Sequence, residues 1–197
     1  DAHDLLMVET RDALGNRVTV DANDYRVLQP CLVSDPNRNQ TEVAFDTLGM
    51  VVGTAVMSKP TDNPRQGDQL GGLFARDPPQ VLLDAFIGQP REAGATPHAS
   101  VATQAAHDLL ASATTRIVSA LDRFKSLGEP PFAATIARET HVSDLGPRGQ
   151  SKLQISFIYS DGFGREIQKK IQAEPGPLDI HDSQSPHVNP RWVGSGW

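Results

Sequence analysis

The stretch Val43–Met57, VAFDTLGMVVGTAVM, sets two apolar runs on either side of Asp46-Thr-Leu-Gly49. An Asp at the first turn position accepts backbone N–H bonds, and Gly49 sits where the chain must turn left-handed, so the pattern predicts a β-hairpin. By the period of two, Val43 and Phe45 fall on one face of the first strand. The return, Met50–Met57, is largely apolar and rich in β-branched residues, and it reads as a strand covered on both faces.

The same pattern recurs upstream. DALGNRVTV (12–20) aligns with DPNRNQTEV (35–43), placing Asp12 on Asp35, Asn16 on Asn39 and Val20 on Val43 at a period of 23 residues. A period of that size signals one supersecondary unit used repeatedly. A third copy lies downstream in SKLQISFIYSDGFGREIQKKIQ (151–172), where Asp161-Gly-Phe-Gly164 repeats the Asp-x-x-Gly turn. Asp12, Gly15, Asn16, Asp35, Asn39, Asp46, Gly49, Asp161 and Gly164 are therefore the expected structural turn residues. Around the third turn, Leu153, Ile155, Phe157 and Tyr159 share one face. Ile167 and Ile171 alternate with Glu166, Gln168, Lys170 and Gln172, which predicts a polar outer face.

Residues 58 to 150 interrupt the repeats. SKPTDNPRQGDQLGG (58–72) is a Pro, Gly and Asp-rich loop, PPQVLLDAFIG (78–88) predicts a short helix, and SVATQAAHDLLAS (100–112) keeps helical spacing through Val101, Ala105 and Leu109 with Ala102, Ala106 and Leu110. TTRIVSALDRF (114–124) and FAATIARETHV (132–142) read as strands. The organisation expected is thus hairpin repeats over 1–57, polar loop and short helices over 58–113, strands with the third hairpin over 114–175, and a Pro/Ser-rich extended segment over 176–197.

Composition narrows the function classes. The chain has 197 residues, 38% of them apolar, enough for a sizeable core. Its net charge is −6 with scattered Lys and Arg, which argues against a nucleic-acid partner. No apolar run approaches the roughly 20 residues that span a bilayer, and DAHDLLMVET lacks the features of a signal peptide. The single cysteine, Cys31, excludes an internal disulfide framework and has no thiolate-activating neighbour in sequence. The chain opens without Met and closes on RWVGSGW, and it reads as a segment of a longer polypeptide.

Chemistry-bearing patterns are sparse. Asp179, His181, Asp182 and His187, with His3 and Asp4, are metal-ligand types, yet no His-x-x-x-His helix or paired Cys accompanies them, so no metal or cofactor is expected. His107-Asp108 and His141 read as surface or strand-end residues. There is no Gly-x-Ser-x-Gly elbow and no phosphate loop, and Glu166 and Glu174 lie on a polar face. No catalytic residue is assigned, and the chain is expected not to be an enzyme.

Taken together, GNRVTVDANDYRVLQPCLVSDPNRNQTEVAFDTLGMVVGTAVM (15–57), ATTRIVSALDRF (113–124), SFIYSDGFGREIQKKIQAEPGPL (156–178) and RWVGSGW (191–197) resemble the Rhs/YD-repeat region of the insecticidal toxin-complex B component, of the SpvB-like toxin family. The aromatic-Asp dipeptide of that family stands here as Phe45-Asp46. Ala22-Asn23 and Tyr159-Ser160-Asp161 depart from it, and Arg38 stands where the commoner unit has Gly. The resemblance implies a mainly β fold, an antiparallel strip forming part of a hollow cocoon shell, with a short α-helical excursion. It implies enclosure of a toxic effector and assembly with the remaining Rhs-repeat shell, a toxin-complex C component and a pore-forming A component. It also implies release from the cell as part of a toxin complex, from the cytoplasm, without direct membrane insertion. The alternative is a non-catalytic binding module that presents residues 58–150 to a protein or carbohydrate.

Overall fold

The computed structural model describes all residues except 2, 4, 88–98, 148, 180, 182, 183 and 197, with side chains also left aside at 99–102 and 196. In chain order the described elements are β1 (Glu9–Arg11), β2 (Arg17–Asp24), β3 (Gln29–Ser34), β4 (Gln40–Phe45), β5 (Val51–Met57), α1 (Gln80–Ile87), α2 (Ala99–Leu110), β6 (Thr115–Ala120), α3 (Arg123–Leu127), β7 (Phe132–Arg138), β8 (Leu153–Ser160), β9 (Glu166–Ala173), β10 (Gly176–Pro177), β11 (His187–Val188) and β12 (Arg191–Gly196). Ten strands form one sheet in the order β1 to β9 followed by β12, while β10 and β11 pair with each other. Neighbours run antiparallel at every ladder whose register is described. The fold is mainly antiparallel β with a short helical excursion, the class expected from the repeats.

The chain divides into two compact units. The first comprises Asp1–Pro78, Leu109–Arg116 and Arg138–Lys152. Its strands β1 to β5 are successive hairpins, each pairing with the next. Ala44 and Phe45 at the end of β4 are both buried. The β4–β5 ladder passes from Ala44↔Gly53 to Phe45↔Val51 and skips Val52, a bulge on β5. One expectation fails here: β5 is not covered on both faces, since Val52, Ala55 and Met57 are buried but Val51 and Val56 are exposed. The residues after β5 fold back onto it. Met57 bridges Gly67, the Asp68 N–H donates to the Val56 carbonyl at 2.9 Å, and a Cβ on Gly67 would lie 2.9 Å from the Met57 Cα. Glycine is required for that approach.

The second unit comprises Pro79–Asp108, Ile117–Ala137 and Leu153–Trp197. Its core contains Phe86, Ala105, Ala106, Val118, Phe132, Ala134 and Ile136. The reading of 114–124 as one strand is corrected: β6 ends at Ala120, and Arg123–Leu127 is a short helix closed by Gly128 at φ +68°. The faces expected for the third hairpin are corrected too. Phe157 pairs with Lys170 and Ser156 with Ile171, so Ile171 lies on the face away from Phe157, and Ile158, Ile167 and Ile171 are all exposed. The cause is a bulge: pairing steps from Tyr159↔Gln168 to Ser160↔Glu166, leaving Ile167 unpaired and shifting the strand by one residue. Residues 176–197 hold β10, β11 and β12, and β12 pairs with β9 along Arg191↔Ala173 to Gly196↔Gln168.

Candidate functional site

The expected turn residues build one module, used four times. At 12–16 the Asp12 N–H donates to the Asn16 carbonyl (3.1 Å), the Gly15 N–H to the Asp12 carbonyl (3.1 Å), and the Asn16 N–H to the Asp12 Oδ1 (2.9 Å). The same three bonds recur at 35–39, at 46–50 and at 161–165. The fourth turn position is left-handed in all four, with Gly15 at φ +86°, Arg38 at +69°, Gly49 at +82° and Gly164 at +77°. This is a tight turn followed by a left-handed residue, a common three-residue hairpin connection. A fifth hairpin, at Asp24–Gln29, places Leu28 left-handed at φ +54°. The ladders after Leu28, Gly49 and Gly164 skip the residue three positions on, namely Cys31, Val52 and Ile167. Those after Gly15 and Arg38 do not.

The module also fixes charge. The Asn16 side chain, then its backbone N–H, holds the Asp12 carboxylate below the usual range. The Arg165 N–H, with its guanidinium, does the same for Asp161. At the turn tips Leu14, Leu48 and Phe163 occupy the same position, and all three are exposed.

A second constellation lies in the first unit and has no signature in the sequence. Asp68 is 2% exposed. Its Oδ2 accepts from Thr114 Oγ1 (2.6 Å) and pairs with His141 Nδ1 (2.7 Å), and its Oδ1 accepts from the Val142 N–H (2.8 Å), with Arg138 Nε at 3.5 Å. Arg138 Nε and Nη2 also donate to the carbonyls of Ala113 (2.6 Å) and Ala111 (2.5 Å). Burial lowers the Arg138 pKa, and Asp68 opposes that shift. Nearby, Arg116 is buried, donates to the Ala75 carbonyl at 2.6 Å and lies 4.8 Å from the centre of the Phe74 ring. Burial brings its pKa down to about 10. The two arginines and Asp68 thus fasten 67–68 and 74–76 to the strands. Each carboxylate oxygen of Asp68 is engaged, Oδ1 by the Val142 N–H and Oδ2 by Thr114 and His141.

The second unit gathers Phe86, Phe132, Phe157, Tyr159 and Trp192. Phe157 stacks on Phe86 at 6.0 Å and meets Phe132 and Trp192 edge-on at 5.2 and 5.3 Å. Lys170 Nζ lies 5.2 Å over the Tyr159 ring, and burial raises the Tyr159 pKa. Sequence reading missed this cluster because its members come from the excursion, the third hairpin and the C-terminal strand β12. In the first unit a polar groove of about 660 Å³ runs past Asn16, Arg17, Asp21, Arg38 and Gln40. Inside it Asp21 Oδ2 accepts from Ser34 Oγ (2.5 Å) and Gln40 Nε2 (2.6 Å), and Arg65 donates to Gln40.

Among the described residues no group of three or more His, Cys, Asp or Glu is placed to hold a metal ion. Asp4 and Asp182, considered as ligand types above, lie outside the described residues. His181 N–H donates to Asp179 Oδ1, a local turn contact. No described helix is long and apolar enough to cross a membrane.

No protein-family model matches the chain, and no curated protein does. Solved structures do match. A crystal structure of TcdB2-TccC3 aligns at a TM-score of 0.58 and 22% identity, over 96% of this chain and 8% of that one. A crystal structure of TcdB2-TccC3-Cdc42 aligns at 0.59 and 18%, over 96% of this chain and 11% of that one. Both neighbours are toxin-complex structures. At these identities the likeness shows the fold, and this chain spans only a small part of the proteins it is similar to.

Proposed function

We propose that the chain is a segment of the shell wall of an Rhs-repeat toxin-complex protein, one that encloses an effector polypeptide and assembles with other toxin subunits. The observation that carries this reading is the repeated hairpin module: four copies of one Asp-turn link strands that pair in sequence order, which is how a long strip is built. The likeness of 96% of the chain to part of a TcdB2-TccC3 structure supports the same reading. On this reading the chain's partners are the remaining shell, a C component that completes the enclosure and a pore-forming A component. The complex acts outside the producing cell, and the segment itself carries out no catalytic step. The binding-module alternative draws no support from Gly67 and Asp68, which are bonded to β5, Val142 and Ser143 rather than held away from the sheet.

Protease protection tests the reading. In an assembly of this segment with a toxin-complex C-type chain, the enclosed polypeptide is expected to resist a protease that digests it readily when free. Digestion at the free rate would overturn the shell assignment.

A further inference from the structure

We propose that the polar groove of the first unit is a binding site for a small polyhydroxylated carboxylate of the uronic acid class, with Arg38 as the residue that fixes the carboxylate. The inference rests on the first unit alone and is independent of the toxin-shell reading.

The floor of the groove is a sheet face. Thr19 pairs with Ser34 and Ser34 with Gln40, so the three side chains form one polar row across β2, β3 and β4. Asp21 is the residue skipped as pairing passes from Val20↔Val33 to Ala22↔Leu32, and this bulge aims its carboxylate at the row. Its Oδ2 accepts from Ser34 Oγ and Gln40 Nε2, while Gln40, 8% exposed, accepts from Arg65 through Oε1. The floor is therefore ordered before any ligand arrives, which lowers the cost of binding. Asp21 Oδ1 stays open: its described partner is Thr19 Oγ1 at 3.5 Å, the outer limit of a hydrogen bond, and Asp21 is exposed. That oxygen is an acceptor for a ligand hydroxyl.

The rim is cationic. Asp35 is taken up by the Asn39 N–H and side-chain amide, and Glu9 faces Arg17 at 3.7 Å. Arg11 and Arg38 make no side-chain hydrogen bond or ion pair among the described residues. Arg38 lines the groove, and Arg11 borders it, with Nη2 3.3 Å from where a Cβ on the lining residue Gly15 would stand. A chain of net charge −6 thus presents two unpaired guanidinium groups at one groove. The guanidinium fork fits a carboxylate through two parallel N–H bonds.

Arg38 also stands where the backbone disfavours it. Its φ is +69°, and the same position is Gly15, Gly49 and Gly164 in the other three turns of this kind. A long side chain in the left-handed region is strained, and such outliers accompany ligand sites. The volume of about 660 Å³ falls within the roughly 300 to 1,000 Å³ of small-molecule sites. An inorganic anion would leave Asp21 Oδ1 without a donor, and a neutral sugar would leave the guanidinium groups unpaired. A hydroxylated carboxylate satisfies both.

The test is an NMR titration of the full isotope-labelled chain with digalacturonic acid, followed at the Gln40 side-chain amide and the backbone N–H groups of Thr19 and Ser34. Saturable shifts are expected at all three. Maltose and inorganic phosphate, titrated separately over the same range, are expected to leave them in place. Arg38→Gly removes the guanidinium and relaxes the turn, so it is expected to weaken digalacturonate binding about tenfold or more and to raise the urea midpoint. Binding lost from a chain that folds better separates a ligand contact from a structural role. Arg38→Lys keeps the charge without the fork and is expected to weaken binding as well, with the midpoint unchanged. Absence of saturable shifts, equal shifts with phosphate (an anion site only), equal shifts with maltose, or unaltered binding by Arg38→Gly would each overturn the proposal. Any of those results leaves the protease-protection test of the shell reading unaffected.

Discussion

Asp35 and Asn39 are joined by three hydrogen bonds: the Asp35 N–H donates to the Asn39 carbonyl (2.9 Å), the Asn39 N–H to Asp35 Oδ1 (2.8 Å), and Asn39 Nδ2 to Asp35 Oδ2 (3.1 Å). Asp12 and Asn16, 23 residues earlier, hold each other by the same three bonds. At 161–165 Arg165 replaces Asn, and its Nε takes the place of the amide at 2.7 Å from Asp161 Oδ2. What recurs is the bonding geometry. The constant Asp closes the turn, and a side-chain donor at the fifth position is optional, since Met50 bonds Asp46 through its backbone N–H alone.

The glycines of two turns separate backbone strain from steric contact. Gly49 and Gly164 have similar positive φ, but a Cβ on Gly49 would lie 2.8 Å from Val27 Cγ1, whereas one on Gly164 meets nothing within 4 Å. Gly164→Ala should cost about 1 kcal/mol from the left-handed backbone alone. Gly49→Ala should cost measurably more, and Gly49→Val more again, beyond about 1 kcal/mol. Urea unfolding of the three variants gives the order, and equal costs at the two glycines would refute the Val27 contact.

Asp68→Asn is expected to destabilise the chain by about 3 kcal/mol or more, because it removes the carboxylate that faces buried Arg138 and disrupts a fully bonded site. His141→Ala should cost far less, near 1 kcal/mol, since the His141 side chain is 45% exposed and Asp68 keeps its other donors. Both costs are read from urea midpoints at unchanged slope.

Asp161 offers a pH readout. Its folded pKa lies below the ordinary value of 3.8, so the unfolded chain takes up its proton first as the solution is acidified. The turn's contribution is complete above that ordinary value and is lost as pH falls through the lower, folded one. An NMR titration of the Asp161 carboxyl carbon should therefore show a midpoint below 3.8. Arg165→Ala should move it upward, because the Arg165 side chain is among the groups that hold it down. A midpoint unmoved by that substitution would remove the guanidinium from the turn.

The turns were legible because their determinants are local: an Asp, a left-handed residue and a strand period on each side. Register was less so. Skipping Val52 and Ile167 decides which residues of β5 and β9 face inward, and nothing in the identity of either residue announces a bulge. Asp68 was illegible for a different reason. Its partners Thr114, Arg138 and His141 lie 46 to 73 positions away, and only the folded sheet brings them together. The aromatic cluster was hidden likewise, since Phe86 and Phe132 come from segments whose sequence suggests an interruption of the sheet.

Gly53 in β5 is a packing requirement. A Cβ there would lie 2.9 Å from Phe74 Cε2 and 3.0 Å from the Thr115 carbonyl, and Phe74 in turn faces the buried Arg116 guanidinium. Gly53→Ala should cost about 2 kcal/mol through overpacking. Phe74→Leu alone should also destabilise, by lost burial and by loss of the ring beneath Arg116. Because the smaller side chain vacates the space that the new methyl needs, the double variant should be more stable than the sum of the two costs, by about 0.5 kcal/mol or more. Strict additivity in the urea-derived values would mean that Phe74 does not rest on Gly53, and its packing against β5 would have to be abandoned.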